Sequence, residues 1–189
     1  MDCSTITAGL VAANCARNSV PGTGSKVYLL SYADINKSTS VVTANVISSI
    51  IMQATKKGYI FETLDNSVDG TCDLVKGTYY SDFDQKLALR IFSKTQAAKA
   101  FVESLKLARV VAIVQNKEIG AAGEIQYECY GWDSGLELMT SKAPTVMTDK
   151  IVYDLELGSG AKSKETSLPK SVFITSTTVT EAMLAGLVA

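Results

Sequence analysis

Between Lys86 and Phe92 the chain alternates strictly, with Leu87, Leu89 and Ile91 on one face and Lys86, Ala88 and Arg90 on the other. A period of two predicts a half-buried strand. Lys26–Tyr32 (KVYLLSY), Gly58–Leu64 (GYIFETL), Arg109–Gln115 (RVVAIVQ) and Glu124–Tyr130 (EIQYECY) are rich in β-branched and aromatic residues and predict further strands. Thr71–Tyr80, Leu136–Thr140, Lys150–Leu157 and Lys170–Thr175 supply weaker ones. Val41–Ala54 places Val46, Ile47, Ile50 and Ile51 at a spacing that suits a helix as well as a strand, so the pattern leaves its type open.

The period changes to helical at Ser93, whose hydroxyl forms a capping box with Gln96; Ala98, Phe101, Val102 and Leu105 then make one apolar stripe. The spacing predicts a helix over about 93–108, packed on a sheet. A second capping box, Thr178 with Glu181, predicts a short helix over Val179–Val188. The turn signal Asp65–Gly70 predicts a hairpin between Gly58–Leu64 and Thr71–Tyr80, and Gly120–Gly123 joins two strands expected to pair. Ser141–Thr148 and the Gly/Ser/Lys-rich Gly158–Pro169 read as loops. Met1–Ser25 is small, polar and turn-rich, and reads as an N-terminal arm ahead of a single domain over residues 26–189. The arm and the 158–169 loop offer little core of their own, so both are expected to gain order on assembly. Strict strand–helix alternation is missing. The expected fold is therefore mainly β (α+β): an antiparallel β-sandwich or barrel with one flanking helix and an extended arm.

Composition narrows the function. The 189 residues suit one domain, since domains run to roughly 100–200 residues. Eighteen basic against 19 acidic side chains give a net charge of -1, which excludes the basic footprint of a sequence-specific nucleic-acid binder. Passage of a duplex through a wide channel is compatible with that charge. Met1-Asp2-Cys3-Ser4 lacks the features of a signal peptide, and no apolar run approaches the roughly 20 residues of a membrane span, so the expectation is a protein made in the cytoplasm with no membrane partner.

The candidate chemistry is sparse. There is no histidine, which removes the commonest general base and metal ligand, and Cys3, Cys15, Cys72 and Cys129 are dispersed. No metal or cofactor is expected. Cys129 in a strand reads as a small core residue rather than a nucleophile. Asp82 and Asp84 could be imagined as a glycosidase pair but read as a solvated turn. Gly22-Thr23-Gly24-Ser25-Lys26 precedes a strand, the reverse of a phosphate-binding loop. Trp132, in Gly131-Trp132-Asp133-Ser134-Gly135, fits an interface anchor or a ring covering one end of the fold. No enzyme is expected.

The order of features, with KVYLLSY, an acidic hairpin, KLALRIF, one flanking helix and then YECYGWDSGLEL, resembles the tail tube proteins of long-tailed bacteriophages. The start with Cys3 and Cys15, followed by PGTGSKVYLLSYADI, resembles small virion proteins of Bacteroidetes phages and prophages. That resemblance implies a virion structural protein whose neighbours extend its sheet into closed, hexameric rings. The rings would stack into a tube for DNA passage, with other virion proteins as further partners. Closing sheets between subunits also removes exposed edge strands. The competing readings are a capsid decoration or tail-completion protein and a carbohydrate-binding β-sandwich.

Between Glu62 and Asp84 six acids (Glu62, Asp65, Asp69, Asp73, Asp82 and Asp84) face only Lys76. On the tail-tube reading this hairpin either lines the lumen or meets Lys162, Lys164 and Lys170 of the next ring.

Overall fold

The computed structural model describes residues 22–77, 81–142, 153–160 and 163–189. It is mainly β, with a large mixed sheet that is not closed into a barrel and two helices. Among the described residues eleven strands are present: β1 (Thr23–Ser31), β2 (Val41–Thr43), β3 (Val46–Ser49), β4 (Tyr59–Glu62), β5 (Val68–Lys76), β6 (Ser81–Ile91), β7 (Arg109–Asn116), β8 (Tyr127–Tyr130), β9 (Leu136–Lys142), β10 (Tyr153–Ser159) and β11 (Lys170–Val172). The helices are α1 (Gln96–Leu105) and α2 (Thr177–Leu187).

The β1–β7 pair organises the sheet. β7 pairs along one edge with β1; along the other it meets β9 at its start and β8 through its second half. The hydrogen-bonded path runs β2-β3-β11-β8-β7-β9-β10-β6-β5, and β4 pairs with β1. Apart from the parallel β3–β11 contact, the strand pairs are antiparallel. The sheet curls until β5 returns to β1, where Thr23 Oγ1 donates to the Val68 carbonyl at 2.7 Å.

Both central strands are buried on both faces, and alternation sends their side chains into two cores. Val27, Leu29, Val110, Ala112 and Val114 join Leu87, Leu89, Leu155 and Leu157 inside the curl, beneath α1. Tyr28, Leu30, Val111 and Ile113 join Ile47, Tyr127, Cys129, Trp132, Leu184 and Leu187 on the other side, beneath α2. Each fully buried aliphatic side chain contributes about 1.5–3 kcal/mol, so these continuous apolar runs anchor the fold.

Several expectations are corrected. Thr23, Gly24 and Ser25 belong to β1, so the strand begins before the expected arm boundary; residues 1–21 lie outside the described residues. Val41–Ala54, whose type the pattern left open, holds two short strands. β4 and β5 form no hairpin with each other, because β4 pairs with β1 and β5 with β6. Helix α1 is capped by Thr95, whose hydroxyl accepts from the Ala98 amide at 3.2 Å, and α2 by Ser176. The barrel alternative fails because the sheet does not close, while the short helix expected over Val179–Val188 is present as α2, so two helices rather than one flank the sheet. The loop expected over 158–169 begins as the last two residues of β10 and is pinned again at Glu165, which exchanges backbone hydrogen bonds with Phe83.

Candidate functional site

The six acids do not form one hairpin. Glu62 lies exposed on β4, Asp65 in the following turn beside Lys117 at 3.4 Å, Asp69 and Asp73 on β5, and Asp82 and Asp84 on β6. The β5–β6 register sets Asp73 directly opposite Asp84, and Asp69 opposite Ala88. By strand alternation Asp69, Asp73, Asp82 and Asp84 share the outer face of this pair, away from the Leu87 and Leu89 core. Like charges opposite one another are unfavourable in a sheet. Lys164 relieves this one: its Nζ lies 2.7 Å from Asp84 Oδ1, while Lys86 approaches the other oxygen at 3.8 Å.

The three lysines expected to reach a neighbouring ring fare differently. Lys162 lies outside the described residues. Lys164 is held within its own chain by Asp84. Lys170 is only 7% exposed, donating to Ser167 Oγ with Asp133 at 3.9 Å. Burying a lysine demands local partners, so Lys170 is a structural cation of the monomer. Both lysines therefore find partners within their own chain.

Both belong to a polar cluster around the turn Gly131–Gly135, which the sequence did not reveal. Gly131 and Gly135 adopt φ of 74° and 79°, backbone that favours glycine, and the Gly135 amide closes the turn on the Gly131 carbonyl at 2.9 Å. Glu165, 1% exposed, accepts the Asp133 amide at 2.7 Å and the Ser134 amide at 2.8 Å. Gln85, also buried, accepts the Gly131 amide at 2.9 Å and donates to the Ser167 carbonyl. Asp133 in turn accepts from the Thr166 and Ser167 hydroxyls. Burial pushes the Glu165 carboxyl above its ordinary range, and the two amide hydrogen bonds oppose that rise. On the other side of the turn, Lys37 sits 3.7 Å from the centre of the Tyr32 ring and Arg109 at 4.8 Å, a double cation–π contact. The cluster ties β6, the 131–135 turn and the 163–170 segment into one unit.

Trp132 lies within this unit, 6% exposed and packed in the core beneath α2, so it is no interface anchor. Cys129 is buried among the same residues, and desolvation pushes its thiol well above the usual range. Cys72 is shifted the same way, again chiefly by burial. Neither thiol is activated for chemistry.

What the surface offers instead, among the described residues, is unpaired sheet edge. The path ends at β2 and β5. On β6, Phe83 gives both backbone groups to Glu165, at 2.8 and 3.0 Å, so Leu74 opposite it bonds nothing on β6 and turns its N–H and C=O outward. Cys72 and Lys76 share that phase. The Leu74 side chain is 53% exposed. A free edge carrying exposed apolar residues is a template for pairing with another chain. Among the described residues no helix is long and apolar enough to cross a membrane. No family model, curated protein or solved structure matches the chain.

Proposed function

We propose that this chain is a structural subunit that assembles with copies of itself by sheet extension, specifically the tail tube subunit of a long-tailed bacteriophage. The observation that carries the reading is the open edge of β5, whose outward backbone groups at Cys72, Leu74 and Lys76 suit a strand from a neighbour. A contact between one edge of a subunit and a different edge of the next is heterologous, and such contacts generate closed rings or helical stacks. The acidic outer face of β5 and β6 supports a lumen wall: carboxylates at Asp69, Asp73 and Asp82 would keep a passing duplex from sticking. The place of action would be the virion, and the partners copies of this chain and other virion proteins.

Negative-stain microscopy of the purified protein tests this. Six-fold rings or tubes support it. Isolated particles at every concentration would leave a capsid-decoration, tail-completion or carbohydrate-binding role to be examined instead.

A further inference from the structure

Residues 163–170 are fastened to β6 and the 131–135 turn by polar contacts. β10 follows β6 as far as the Gly158–Lys86 pair, and Glu165 resumes that antiparallel ladder at Phe83, where the two residues exchange backbone bonds of 2.8 and 3.0 Å. Around this bridge Lys164 holds Asp84 and its carbonyl accepts the Ser134 hydroxyl at 2.9 Å. Thr166 and Ser167 donate to Asp133, and the Ser167 carbonyl accepts from Gln85 at 2.9 Å. Of the side chains from Ser163 to Pro169 only that of Glu165 is buried. Leu168 is 49% exposed, and no residue of the stretch belongs to either apolar core. Closure therefore rests on one carboxyl group and on hydrogen bonds that water can replace.

That carboxyl is buried without a countercharge. Its hydrogen-bond donors are the neutral Asp133 and Ser134 amides, and none of the ion pairs among the described residues includes it. The ionisable groups around it are Asp133 on the turn, Lys37 ahead of β2, Cys129 on β8 and Cys72 on β5. Lys170 at the start of β11 lies beside Asp133, and Asp84 of β6 is taken by Lys164. Lys37 is spent on the Trp132 and Asp133 carbonyls, and Lys170 on Ser167. Burial is the largest influence on Glu165 and favours its neutral form; Asp133 adds to that, while the two amides and Lys37 oppose it. With the segment detached, the carboxyl returns to water and to its ordinary value of 4.5.

We propose that residues 163–170 form a strap that opens independently of the rest of the fold, held most tightly while Glu165 carries a proton and more loosely once it is ionised. The shut form binds the proton more tightly than the open form, so closure weakens as pH rises from about 4.5 through the shut-form value and is constant beyond it. Opening frees the N–H and C=O of Phe83 and releases Lys164 from Asp84, which restores the repulsion between Asp84 and Asp73. The strap is a property of the single chain and does not depend on the tail-tube reading.

Amide hydrogen exchange on the full chain, corrected for the intrinsic rate and followed from about pH 4.5 to 8, tests it in the native protein and in Glu165→Gln. The Phe83, Asp133 and Ser134 amides should exchange together, with protection about 100-fold below that of Ile113, which is paired on both sides by Tyr28 and Cys129. Their protection should fall about 10-fold across the range in the native chain and stay level in Glu165→Gln. The native chain alone carries the first two readouts. Protection equal to that of Ile113 would overturn the proposal, because the segment would then open only with the whole fold. Protection that is level with pH in the native chain, or that falls equally in Glu165→Gln, would overturn it as well.

Discussion

The two faces of the β1–β7 pair are closed by different means. Beneath α2 the core holds Leu184 and Leu187 from the helix, with Trp132 and Tyr127, and its rim is fixed by the Glu165 and Lys37 contacts to the 131–135 turn. Beneath α1 only Leu105 of the helix is fully buried; Ala98, Phe101 and Val102 pack against the core from a part-exposed position, and among the described residues nothing fills the groove beside β4. One face is complete within the described residues, and the other presents apolar surface and an unpaired edge together. Strand pairs of similar composition can thus serve as a closed core or as an attachment surface, depending on what covers them.

That contrast can be broken by truncation. Leu184→Ala should lower stability by about 2–5 kcal/mol, because the side chain is fully buried and its loss leaves a cavity. Phe101→Ala on the open face should cost less, about 1–2 kcal/mol, since its ring is part-exposed and stacks mainly on Phe61. Urea unfolding of both variants gives the comparison, and equal losses would contradict the asymmetry.

The turn cluster sharpens it further. Glu165→Ala leaves the Asp133 and Ser134 amides without their acceptor, at about 1–3 kcal/mol for each, whereas Glu165→Gln keeps one acceptor oxygen and should lose less. The pH dependence has a definite sign. The folded carboxyl binds its proton more tightly than the unfolded one, whose ordinary value is 4.5. The native protein should therefore lose stability relative to Glu165→Gln as pH rises from about 4.5 through the folded value. A difference that stays flat with pH would show that Glu165 does not titrate differently in the fold.

The smallest effects concern the acidic pair. Lys164→Gln should destabilise the monomer by about 1 kcal/mol and by less at high salt, because its bridge to Asp84 is only part-shielded. Asp73→Asn should stabilise by about 0.2–1 kcal/mol by relieving the repulsion across β5 and β6.

The outcome for the sequence reading follows the range of the interactions involved. The alternation at Leu87, Leu89 and Ile91, the stripe Ala98–Phe101–Val102–Leu105 and the antiparallel β7–β8 pair were legible because each depends on neighbours along the chain or across one connection. The β4–β5 hairpin was misread although the turn itself is real, with Asn66 at a positive φ. A turn signal reports that the chain reverses, not which strand it then joins, and here β1 and β6 supplied the partners. Thr95 capped α1 in place of Ser93 because β6 runs on to Ile91, and the residues after it cross from the sheet to the helix layer. Glu165 gave no signal at all. In a Ser/Lys/Thr-rich stretch a lone acid reads as solvated, and its burial comes from a turn some 30 residues earlier in the chain. The burial of Lys170 was illegible for the same reason, its partner Asp133 lying in that turn.

Assembly through the β5 edge is the central claim, and Leu74→Pro tests it most directly. Proline there removes a backbone donor that points away from β6, so the β5–β6 ladder keeps its own hydrogen bonds while the edge loses one of its template positions. Sedimentation velocity across a concentration series should show the native chain forming rings or larger species while Leu74→Pro stays monomeric with an unchanged circular dichroism spectrum. Equal assembly of the two proteins would contradict the edge assignment, and a native chain that remains monomeric throughout would contradict the assembly function itself.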